Sequence, residues 1–120
     1  MKTLGQCVEF VLKHRKGNAF KDYEEHHIAS DLLMCSNEGT MFYAVNPVGE
    51  LCGVVTAIAN VDKKIMYVRD ILAIERWVLP TFVRMFKERF PDYTITASRR
   101  CKERTYNTVR LVNKILSRKV

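Results

Sequence analysis

Leu4, Cys7, Val8, Val11 and Leu12 recur at i, i+3, i+4, i+7 and i+8, the apolar stripe of an amphipathic helix over about 3–14. "RKGN" ends it, with basic residues near the C-terminus and Gly17 just beyond. A second helix is predicted over about 20–36, with Phe20, Tyr23, His27 or Ile28, Leu32 and Cys35 on one face and "SNEGT" closing it. The pattern then shortens. "MFYAV" (41–45), "LCGVVTAIA" (51–59) and "IMYVRDIL" (65–72) are apolar and rich in β-branched residues, and read as strands. "NPVGE" and "NVDKK" are the turns between them. Such short connections predict an antiparallel meander. A third helix is predicted after Pro80, which fits the first helical position, and runs to about Arg89. Val78, Phe82, Met85, Phe86 and Phe90 supply its buried side. "FPDY" breaks it, "YTITA" (93–97) is a short strand, and a last helix is predicted over about 101–116.

The order is therefore α-α-β-β-β-α-β-α, an α/β protein with a mixed sheet. The strand–helix–strand piece over 65–97 needs a crossover that sets its two strands parallel. At 120 residues, with no internal repeat or linker, the chain reads as one domain over 1–120. No apolar run approaches the roughly 18 residues that span a bilayer. The N-terminal stretch is broken by Gln6 and Glu9 and lacks a small-residue cleavage site, unlike a secretory signal. A cytoplasmic location is expected.

Charge changes the picture at one end. The net charge is +7, and residues 99–120 hold eight basic residues against the single acid Glu103. The whole excess is thus a C-terminal patch. On the predicted last helix, Val109, Leu111, Val112, Ile115 and Leu116 spread over one side, and Arg110, Lys114 and Arg118 over the other. Two readings stand: a solvated face, or contact with an anionic partner such as nucleic acid, acidic protein or a phosphorylated ligand. Arg99 and Arg100 extend the same patch.

The four cysteines, Cys7, Cys35, Cys52 and Cys101, have long, uneven gaps and form no C-x-x-C pair. They read as buried thiols of a reducing compartment, not a zinc site or a disulfide framework. His26 and His27 are adjacent, and adjacent residues on a helix point about 100° apart. No metal is expected.

The joint "AIERWVLP" (73–80), between a strand and a helix, is where many α/β proteins hold a phosphate. The element order and lengths resemble the GNAT fold of the Gcn5-related N-acetyltransferases. "DLLMCSNEGTMFYAVNPVGELCGVVTAIANV" resembles that family's second helix and following hairpin, with Gly49–Gly53 at its "g-x-x-v-G". "KKIMYVRDILAI" resembles its central fourth strand, "PTFVRMFKERFPDYTITAS" its third helix and fifth strand, and "ERTYNTVRLVNKIL" its fourth helix. The resemblance covers about 90 residues from the second helix onward and is nearest to small GNAT-like proteins of bacteriophages, some of which belong to virion-building gene sets. It implies acetyl-CoA as cofactor if the protein is active.

The chain departs from the family in three places. The family's cofactor loop, [QR]-x-x-G-x-[GA], is here "IERWVLP", with no glycine. Val112 stands where many members carry the tyrosine that protonates the departing thiolate, and Tyr106 lies six positions earlier. The chain stops at Val120, before a sixth and a seventh strand. Bulky residues and Pro80 are poor material for a nest of inward N–H groups, and Leu79, before a proline, is biased to extended geometry.

Three functions follow from these residues. In a GNAT-type acyltransferase with a divergent loop, Asp70 or Glu75 is the general base and Arg76 and Arg84 lie near the phosphates. Against this, Asp70 beside Arg69 reads more simply as a surface or edge ion pair. In a GNAT-like protein with weak or no transferase activity, the fold serves a phage-type interaction or virion role. Trp77 and the basic last helix (Arg99, Arg100, Arg110, Lys114, Arg118) then contact virion or host proteins, in the host cytoplasm or the virion. The third is sequence-independent nucleic-acid binding by that helix, since no helix-turn-helix spacing or aromatic RNA-reading strand is visible. The second reading is favoured, because the loop and the missing tyrosine each weaken catalysis.

Overall fold

The computed structural model of the chain describes residues 2–16 and 20–97. Its elements run α1 (Leu4–His14), α2 (Glu25–Glu38), β1 (Met41–Val45), β2 (Leu51–Asn60), β3 (Ile65–Ala73), α3 (Val78–Arg89) and β4 (Thr94–Ala97). Thr3 and Gln6 start α1 with a reciprocal cap. The Thr3 hydroxyl accepts from the Gln6 N–H at 3.1 Å, and the Gln6 side chain accepts from the Thr3 N–H at 2.8 Å. Gly39 ends α2 at φ 74°, and its N–H turns back to the Cys35 and Ser36 carbonyls.

The second helix starts five residues later than periodicity suggests. Phe20 and Tyr23 lie in the turns before it, where the Phe20 carbonyl accepts from the Tyr23 N–H at 3.1 Å. Phe20 is nonetheless fully buried against α1 and α2. Its apolarity fixed its burial, not its helicity. The third helix starts earlier than expected, at Val78, so Leu79 is helical and Pro80 is its third residue. A proline there still removes only a donor that the first turn leaves without an intrahelical acceptor.

The sheet has the order β1-β2-β3-β4. β1 and β3 run antiparallel to β2, and β4 pairs parallel to β3 from Ile65↔Thr94 to Val68↔Ala97. The meander and the parallel crossover strand are as the sequence predicted. The predicted last helix lies outside the described residues.

One face of the sheet, with Val54 and Leu72, packs on Cys7, Val11, Phe20, Ile28 and Leu32 of the α1–α2 side. The other, with Val55, Ala57, Met66, Val68 and Ile71, packs on Val78, Leu79, Phe82, Val83 and Phe86 of α3. Helices therefore cover both faces of a mixed sheet, an α/β architecture. Phe86 anchors α3, edge-to-face on Phe42 of β1 with ring centroids 4.8 Å apart.

A bulge interrupts β3. Thr56 faces Asp70 and Ala57 faces Val68, which leaves Arg69 as the extra residue. The side-chain alternation slips there. Val68 and Ile71 both lie in the α3 cluster, and Leu72 lies in the other.

Candidate functional site

The joint between β3 and α3 is where a strand-to-helix phosphate site would lie. Some of the amides in and beside it are engaged inside the protein. The Ile74 N–H donates to the Cys52 carbonyl at 3.0 Å, Val78 N–H to the Glu75 carbonyl at 3.2 Å, and Thr81 N–H to the Trp77 carbonyl at 3.4 Å. Pro80 has no N–H. A phosphate at a helix N-terminus needs several converging N–H groups; within this joint the amides of Ile74 and Val78 are taken and Pro80 has none, which leaves at most those of Glu75, Arg76, Trp77 and Leu79 to meet an anion. Glu75 then adds negative charge at the same joint, accepting a hydrogen bond from the indole Nε1 of Trp77. Arg76 and Arg84, the residues expected near phosphates, are both exposed.

Asp70, the expected general base, is 1% exposed. Tyr23 Oη donates to Asp70 Oδ2 at 3.4 Å, and Arg69 Nε lies 3.8 Å from the same oxygen. Arg69 also reaches Asp31 of α2 at 3.4 Å. The Arg69–Asp70 pair therefore forms, but not on a surface or sheet edge as expected. β3 is an inner strand, and the bulge turns both neighbours toward the α1–α2 side. A base behind two helices cannot meet an amine at hydrogen-bond distance without the fold opening. Glu75 stands elsewhere, exposed at the rim of a groove, so the two candidate carboxylates do not form one site. Sequence spacing announces neither the Tyr23–Asp70 contact, across 47 residues, nor the Arg69–Asp31 pair.

That groove, of about 570 Å³, lies between α1 and the β1–β2 turn and includes Lys13, His14, Glu50, Cys52 and Glu75. Its charges are mixed in sign, and no base is hydrogen-bonded to the thiol. Burial, and after it the Glu75 carboxylate, holds the Cys52 thiol above its ordinary value, with Glu50 acting the same way. Burial likewise raises Cys7 and Cys35. All three are buried, unbridged thiols, as expected of them; Cys101 lies outside the described residues. A nucleophilic cysteine needs thiolate near neutral pH, and a raised pKa keeps the proton on. Cys52 is accordingly expected to alkylate much more slowly at pH 8 in the native protein than in denaturant, which mass spectrometry after timed quenching measures. Equal rates would contradict its burial.

A second groove, about 420 Å³, runs along the outer edge of β1. Trp77, Thr81 and Met85, four residues apart, bring one face of α3 to it opposite Met41–Val45. Trp77 is 39% exposed and Val45 40%, while Val48 in the adjoining turn is 77% exposed. Thr40 O accepts from the Ala57 N–H, so alternation along the strand turns the main-chain groups of Met41 and Tyr43 outward. Among the described residues no strand pairs with them. "MFYAV" holds no charge and no proline to guard that edge, which is blunted only by its five-residue length and the irregular register at Ala44/Val45.

His26 and His27 do not diverge as their adjacency suggested. Their ring centroids are 4.1 Å apart, at the start of α2, and Glu24 stands beside them. Arg99, Arg100, Arg110, Lys114 and Arg118, together with Tyr106 and Val112, lie outside the described residues.

Among the described residues, fold and surface define a small α/β protein with a mixed four-stranded sheet, three helices and an apolar outer edge at β1 that no strand pairs. No family model, curated protein or solved structure matches the chain. No helix among the described residues is long and apolar enough to cross a membrane.

Proposed function

We propose that this is a GNAT-like protein with little or no acetyl-CoA transfer activity that works by association, as a phage-type interaction or virion-associated component. The observation that carries this reading is the bare outer edge of β1, flanked by the Trp77 groove. An unpaired, uncharged strand edge with apolar side chains beside it is a template for another strand. Its occupant in this reading is β1 of a second copy, laid antiparallel. Such a contact is self-complementary about a two-fold axis, since the same apolar residues face each other. The missing glycines of the β3–α3 joint and the burial of Asp70 support the loss of transfer chemistry.

The test is sedimentation velocity over a concentration series, with Val45→Lys placing a charge on the exposed end of the edge. Wild-type protein should self-associate. Val45→Lys should stay monomeric at the same concentrations with an unchanged melting temperature. Calorimetry with millimolar CoA should show no heat. A wild-type protein that is monomeric throughout, or one that binds CoA saturably, sinks the reading.

A further inference from the structure

We infer that Glu24, His26 and His27 form a surface site for a zinc-class divalent cation. One atom from each, a carboxylate oxygen and two imidazole nitrogens, lies within 4.8 Å of the others. In a tetrahedral zinc site, with bonds of about 2.0–2.2 Å, ligand atoms sit about 3.3–3.6 Å apart. Closing the difference takes only side-chain rotation, and all three residues are exposed.

Backbone geometry explains how Glu24 joins the two histidines. Glu24 is the N-cap of α2, with extended φ −76° and ψ 157°, so the helical 100° step does not apply to it. An N-cap carboxylate ordinarily accepts from the first-turn amides. Here the Glu24 side chain makes no such hydrogen bond and instead places Oε2 3.4 Å from His26 Nδ1. The plain alternative is an exposed Glu24–His26 ion pair, worth little on its own. That pair does not involve His27, whose ring stands against His26 with centroids 4.1 Å apart. Two imidazoles and a carboxylate are a zinc-type donor set.

The surroundings favour a cation. Between residues 21 and 27, three acids (Asp22, Glu24, Glu25) face one lysine, Lys21, in a chain of net charge +7. Nitrogen donors select zinc, nickel or copper over magnesium and calcium, which take oxygen ligands. Three ligands from the protein leave a coordination position for water or for a group on another molecule.

The experiment titrates Zn²⁺ into the reduced full chain by calorimetry and repeats the titration with Co²⁺ by absorption. One ion per chain is expected, with a cobalt spectrum of nitrogen and oxygen ligands and no thiolate charge-transfer band. His27→Ala and Glu24→Gln should each weaken binding at least about tenfold, the loss that even an outer-sphere contact brings. His14→Ala, the remaining histidine, should bind as wild type. Metal-free melting temperatures should not change, because the substituted groups are exposed. No binding at millimolar Zn²⁺, a thiolate band, or equal affinity in His27→Ala and wild type would each overturn the site.

Discussion

Asp70→Ala lowers the free energy of unfolding by about 3–5 kcal/mol, the cost of breaking a buried ion pair from one side. The Asp70 side chain has no exposure, while the Arg69 side chain keeps 29%. The alanine would take one of its carboxylates from the Arg69 guanidinium, which keeps Asp31, and remove an acceptor of the Tyr23 hydroxyl. At this size the loss amounts to a melting temperature roughly 10 °C or more lower. Arg69→Met combined with Asp70→Leu should recover much of it, because an apolar pair of similar volume carries no desolvation cost. Urea melts of the three proteins decide the matter. If Asp70→Ala melts with wild type, the carboxylate is not the structural group its burial implies. The consequence for function is direct. Were this only a surface pair, alanine at Asp70 would leave an assembly role intact; with the pair buried, alanine removes the role by unfolding. Glu75→Ala, on an exposed side chain, should leave both stability and association unchanged.

Gly53→Leu is the second large effect. A Cβ on Gly53 would lie 2.4 Å from Val78 Cγ1 and 3.1 Å from the Leu72 carbonyl oxygen. Val78 is β-branched and held in the first turn of α3, and the carbonyl belongs to the neighbouring strand, so neither can step aside cheaply. Overpacking of this kind costs typically 1–3 kcal/mol and more when backbone must move; a leucine here should reach about 3 kcal/mol. The position needs a side chain's absence, not a positive φ. The glycine lets the start of α3 sit directly on β2, and so fixes where Trp77 stands. Trp77 is the single tryptophan of the chain, so its fluorescence reports that joint alone. Gly53→Leu should shift the native emission as well as lower the melting temperature. A shifted melt with unchanged emission would show the helix start is not what moved.

Much of the architecture could be read before the structure. The shift from helical to strand periodicity, the turns at "NPVGE" and "NVDKK", and the need for a crossover after β3 gave the meander and the parallel fourth strand. Those are local signals, and short connections leave few topologies. The absence of glycine from "IERWVLP" led to the expectation of a joint unable to cradle phosphates; within that joint the amides of Ile74 and Val78 have acceptors inside the protein. The sites were less legible. Adjacency in the chain suggested that His26 and His27 point apart, but side-chain rotamers, which the helical step does not set, bring their ring centroids to 4.1 Å. Asp70 beside Arg69 looked like a surface pair because a dipeptide carries no information on burial.

What the amino acids determined by themselves is most of the set of elements, the net positive charge placed wholly beyond residue 98, and a strand, "MFYAV", without charge or proline to deter pairing. Those follow from propensity, period and composition, which act over a few residues. What only the tertiary structure decided is which face each side chain takes. One extra residue at Arg69 reverses the alternation of β3 and carries Asp70 into the α1–α2 layer, and the position of β1 at the end of the sheet leaves its edge open. Register and strand order are settled by contacts between distant segments, so no local pattern encodes them.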